Sequence, residues 1–139
     1  MIKTTKEIRD DFYRILKQTR LVAECERAGG QLLRRERATD ATTQDVVIAI
    51  PANENVGNNI QEAVVYVRVY VQDIRDKKGR QMIMNEPVLS ELEALASEDL
   101  ERLYGDDWRA EMESQTEIKV EGQDQHAAVF RYVYRANND

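Results

Sequence analysis

At 139 residues, 42% hydrophobic and 33% charged, the chain has the size of one domain, long enough for one real core and too short for two. Its net charge of −6 excludes a protein whose whole surface grips nucleic acid, since that task needs cations against phosphate. No apolar run approaches the roughly 18–20 residues that span a bilayer. The opening MIKTTKEIRDDF lacks the uninterrupted apolar stretch of a signal peptide, and Cys25, the single cysteine, makes no intrachain disulfide. The expectation is a cytoplasmic protein without membrane contact.

Thr4 or Thr5 caps a helix from about residue 5, in which Ile8, Phe12, Ile15 and Leu16 recur on one face and Asp10, Asp11, Arg14 and Lys17 on the other. Leu21-Val22-Ala23 either extends it or makes another turn, and Gly29-Gly30 stops it. QLLRRE (31–36) reads as a short strand, and Arg34, Arg35 and Arg37 as a solvated rim. ATDATTQ (38–44) has loop composition. VVIAIP is a buried strand that Pro51 closes, followed by a turn-rich connection, ANENVGNN (52–59), too long for a tight hairpin.

The stretch AVVYVRVYVQD (63–73) admits one comfortable conformation. Ala63, Val65, Val67, Val69 and Val71 alternate with Val64, Tyr66, Arg68, Tyr70 and Gln72, so an all-aliphatic face belongs against the core. Residues 74–85 form a loop. Asn85, Glu86 and Pro87 start a second helix, whose Leu89, Leu92, Ala96, Leu100 and Leu103 keep helical spacing as far as Tyr104. Its outer side is acidic, with Glu91, Glu98 and Glu101 prominent. Trp108 packs near the helix end. Met112, Ser114, Thr116, Ile118 and Val120 then define the inward side of a half-buried strand. Residues 121–124 are a turn, and Ala128, Phe130, Tyr132 and Tyr134 alternate with Val129, Arg131, Val133 and Arg135 in a last strand. Residues 136–139 form a polar, flexible tail.

This order predicts a single α+β domain: a mostly antiparallel sheet of four to five strands, with two helices packed on one face and the valine side meeting Leu92, Ala96 and Phe12. The chemistry expected of an enzyme is missing. His126 beside Asp124 has no Ser or Cys partner in sequence, Cys25 has no activator beyond Arg27, and the acidic helix matches no metal-ligand spacing. No glycine pattern cradles a phosphate. The chain is read as no enzyme, with no cofactor, no metal and no specific nucleic-acid binding. Arg68 with Tyr66 and Tyr70, and Arg131 with Tyr132 and Tyr134, have the composition of a protein interface, or line the rim of a core.

The N-terminal helix, the glycine turn before a short strand, and above all the pair DVVIAI and EAVVYVRVYVQD resemble the tail-terminator, or tail-completion, proteins of long-tailed bacteriophages and prophages. The resemblance spans about Lys6 to Arg135. It implies a structural protein of the virion tail that closes into a ring, typically of six subunits, capping the tail tube and docking to the head. Tail-tube and head-completion proteins are then the partners, and the host cytoplasm followed by the virion is the location. Tyr66, Arg68, Tyr70, Arg131 and Tyr132, with the loops at 38–44 and 74–84, become candidate subunit contacts. Glu91, Glu98 and Glu101 become an acidic border for a DNA channel, because like charge opposes phosphate binding. A head-to-tail neck connector, and a non-viral homodimeric binding module with Tyr66, Tyr70, Tyr132 and Tyr134 lining a pocket, are the competing readings.

Overall fold

The computed structural model describes residues 2–137. Eleven elements follow in the order α1 (Thr5–Leu16), α2 (Arg20–Arg27), β1 (Leu32–Leu33), β2 (Val46–Gly57), β3 (Ile60–Gln72), β4 (Ile74–Arg75), β5 (Met82–Ile83), α3 (Glu86–Asp99), β6 (Arg102–Tyr104), β7 (Trp108–Lys119) and β8 (Gln125–Asn137). The expected four to five antiparallel strands with two helices are replaced by a mixed sheet of six, in the order β1-β2-β3-β8-β7-β6, and three helices. The sheet curls as a half-barrel, β1 pairs with β2 in parallel, and β4-β5 is a separate two-stranded hairpin. Residues 136 and 137, read as the start of a flexible tail, belong to β8, with Ala136 opposite Trp108. The rest of that tail lies outside the described residues.

Each departure has a local cause. Thr19 accepts from the Val22 N–H and starts α2 as a helix of its own, satisfying one of the free donors of a helix start. Asn58 and Asn59 both take positive φ, 53° and 61°. Two such residues between paired Gly57 and Ile60 make the primed turn that matches strand twist, so residues 52–57 are strand and the hairpin is tight. Pro51 does not end the ladder. The register passes from Ala49↔Tyr66 to Ala52↔Val64, one residue more on β2, so the proline sits in a bulge where its missing N–H is tolerated. Leu100 and Leu103 keep helical spacing, yet α3 ends at Asp99 and Leu103 is the buried centre of β6.

β7 is the most instructive case. Met112 lies opposite Tyr132, but Ser114 lies opposite Arg131 and Gln115 opposite Phe130. The single extra residue reverses which side every later residue faces. Gln115 and Glu117 thus turn towards α3, and Ile118, expected inward, is 44% exposed.

β3 carries its aliphatic side inward as its alternation predicts, with Ala63, Val65, Val67, Val69 and Val71 all buried. They join Phe130, Tyr132 and Tyr134 of β8, Ile8, Phe12 and Leu16 of α1, Leu21, Val22 and Cys25 of α2, and Leu89, Leu92 and Ala96 of α3 in one cluster. Phe12 is its centre, stacked with Trp108 at 5.7 Å and edge-on to Tyr132 at 5.4 Å. Trp108 is the anchor expected, stacked in turn on Tyr134 at 5.2 Å.

Candidate functional site

The sheet separates the tyrosines that the sequence grouped. Tyr132 and Tyr134 point into the core, where the Tyr132 hydroxyl donates to the Leu100 carbonyl at 2.7 Å and that of Tyr134 to Asp11 at 2.8 Å. Burial pushes both hydroxyls up in pKa. Tyr132 is fully buried and offers no surface to a partner, because its position alternates with Arg131 and so faces the helices. Tyr66, Arg68 and Tyr70 lie half-buried on the opposite face, so the four tyrosines do not share the lining of one pocket.

On that outer face a groove of about 730 Å³ collects Arg9, Arg34, Arg35, Arg37 and Arg68 beside Tyr66. It follows the edge of β2, whose Ile48, Ala49, Ile50 and Pro51 also line it. The arginines do different things. Arg37 is almost buried, bonding Asp45 at 3.1 Å, Gln125 at 2.7 Å and the Thr43 carbonyl at 2.7 Å, with its guanidinium 4.2 Å from the centre of the Tyr70 ring. It pins the 38–45 segment to the sheet and is no solvated rim. Arg34 stacks on Tyr13 at 4.1 Å and lies 3.6 Å from Asp10. Arg9, Arg35 and Arg68 have no ion-pair partner among the described residues, and the buried Nε of Arg68 has no hydrogen-bond partner there. A groove whose arginines outnumber its lining carboxylate, Glu36, thus opens on an acidic protein. Arg9 was invisible to a reading by neighbouring residues, since α1 brings it to the groove from a distance. Arg131, the other arginine expected on this face, is instead paired with Glu113.

The acidic residues gather at the other end of the sheet. Arg20 reaches from α2 to Glu98 at 2.9 Å and Asp99 at 2.6 Å, its hydrogen bonds raising the guanidinium pKa and lowering that of Asp99. Glu98 is therefore paired, whereas Glu91 and Glu101 are exposed and without an ion-pair partner among the described residues. Glu93 leans against Glu117 of β7, and burial together with that hydrogen bond pushes its carboxyl up to about 7. Gln115 donates to Ser97 at 2.7 Å between them and Glu101. Glu93, Glu101 and Glu117 thus mark an acidic strip along the α3–β7 border, Glu93 and Glu117 being visible only once the bulge is known.

The remaining candidates are accounted for by packing. His126 is held by Asp73 at 2.6 Å, with Lys119 at 3.4 Å from the same carboxylate. Cys25 is buried, accepts from Gln44 at 3.6 Å, and burial raises its thiol to about 11, which leaves little of the reactive thiolate. Among the described residues no three of His, Cys, Asp and Glu group as a metal site requires, and no helix is long and apolar enough to cross a membrane.

No protein-family model and no curated protein matches the chain. Among solved structures it is similar to a chain from the virion of a native gene transfer agent particle, with a TM-score of 0.53 and 10% identity over 92% of each chain. At that identity the likeness is one of fold.

Proposed function

We propose that this chain is a non-enzymatic structural component of a phage-like particle, a tail terminator that closes into a six-membered ring on the tail tube and presents a surface to the head. The observation that carries the reading is the fold shared over 92% of both chains with a component of a gene transfer agent virion. The distribution of charge supports it: cations gather at the β2 edge and carboxylates at the β7 edge of one sheet, and contacts between unlike patches run head to tail, building a ring where the rotation closes. A net charge of −6 suits a protein bordering a channel through which DNA slides without sticking.

Light scattering across a wide concentration range, followed by negative-stain microscopy, tests this. The expected result is a monomer that gives way to rings of six as concentration rises. A dimer whose mass never changes would sink the reading and favour a homodimeric binding module.

A further inference from the structure

The two edges of the sheet differ in what covers them. β1 pairs only with Val46 and Val47 of β2, so among the described residues the outer edge of β2 carries no strand from Ile48 to Gly57. β6 pairs only with Arg109, Ala110 and Glu111 of β7, so among the described residues β7 is likewise open from Ser114 to Lys119. These edges stand at opposite ends of the order β1-β2-β3-β8-β7-β6. Open edges invite pairing with another chain, Pro51 and its bulge interrupting the first at one point, and each here is flanked by charge mostly of one sign, Glu36 being the carboxylate among the groove's arginines. Arg9, Arg35 and Arg68 flank the first. Glu101 and Glu117 flank the second, with Glu93 hydrogen-bonded to Glu117 beside them.

We propose that the β2 edge with its arginine groove receives the β7 edge and acidic strip of a second copy of this chain. The occupant is another copy because the complementary patch is on this same molecule, at the far end of the same sheet. Each subunit then offers one basic and one acidic edge, so the contact is heterologous and propagates. Pairing also gives the buried Arg68 Nε a field of carboxylates to face. The groove's aromatic and apolar lining, Tyr66, Tyr70 and Pro51, supplies the area that ion pairs alone lack.

This inference rests on the ring reading, and a charge swap distinguishes the failure of one from the failure of the other. The double variant R35E/R68E has two acidic edges, and E101R/E117R has two basic ones. Each alone is expected to stay monomeric at a concentration where the wild type assembles, with association at least tenfold weaker. Mixed in equal amounts they are expected to restore assembly, because acidic and basic subunits then alternate around an even-numbered ring. Circular dichroism and melting curves check that both fold, and the milder R35Q/R68Q and E101Q/E117Q, expected to weaken association without rescue on mixing, serve if either does not. Variants that assemble as well as the wild type, or a mixture that stays monomeric while the wild type forms rings, would overturn this interface and leave the ring standing. A wild type that never associates would overturn both.

Discussion

Phe12 touches Trp108, Tyr132 and Tyr134 at once, and it is the residue on which three elements converge. Phe12→Ala removes a fully buried ring whose neighbours belong to rigid strands and cannot collapse into the space. The expected cost is about 3–5 kcal/mol, read from the shift of the urea midpoint. A quieter residue is Gly30, which lacks the positive φ of Gly29. It is a glycine because a Cβ there would sit on the Gln44 carbonyl, where β1 runs in beside the start of β2. Gly30→Ala must push two backbone segments apart and is expected to destabilise by about 1–3 kcal/mol. Gly29→Ala finds open space but strains its backbone at φ 94°, by about 1 kcal/mol. Thermal melts of the two variants separate close approach from conformational strain, which the dipeptide Gly29-Gly30 does not do in sequence.

At the scale of elements, the α3–β7 contact carries a pH dependence. Glu93 has a folded pKa of about 7, above its unfolded value of about 4.3. Its contribution is therefore fully present below the unfolded value and is lost as pH rises through about 7. Glu93→Gln keeps the hydrogen bond without the charge. It is expected to flatten stability between about pH 4.5 and 7 and to raise it at pH 8 by about 1 kcal/mol, once screening of this half-exposed group is allowed for. Urea unfolding at pH 5 and pH 8 reads the difference, and equal gains at both would mean packing, not charge. The same border shows where the sequence ceased to be legible. β3 could be read because period two persists over its whole length, and α1 because its cap and its apolar stripe agree. The far half of β7 could not, since one bulged residue leaves the alternation intact to the eye while inverting its meaning. β6 was hidden because Leu100 and Leu103 fit a helix as well as a strand, and the β2–β3 hairpin because Asn58-Asn59 forms the turn more often written Asn-Gly. Arg68, Tyr66 and Tyr70 were legible as a surface. Arg9 and Glu117 were not, because they reach their patches through α1 and through the bulge.

For the whole molecule, the separation of charge along one sheet predicts how assembly responds to salt. Fields between exposed charges reach about 10 Å at 0.1 M salt and about 3 Å at 1 M, so a contact between Arg9, Arg35 and Arg68 on one copy and Glu101 and Glu117 on the next weakens as salt rises. An apolar contact would not weaken, since salt leaves burial unchanged or strengthens it. Raising sodium chloride from 50 to 500 mM is expected to weaken each contact about tenfold, or about 1.4 kcal/mol. In a closed ring every subunit is held on two sides, so the losses compound and the rings give way to monomers over a narrow range of salt. A two-fold dimer has a single interface and dissociates gradually. Sedimentation velocity at one protein concentration across a salt series reads the difference, with the melting temperature followed alongside to show that the fold itself is unmoved. A sharp loss of the ring species is the signature of the head-to-tail contact. Rings that persist unchanged to 500 mM would mean that the subunits are joined through apolar surface elsewhere, with Ile118, Val56 and Tyr104, all well exposed, the first places to look.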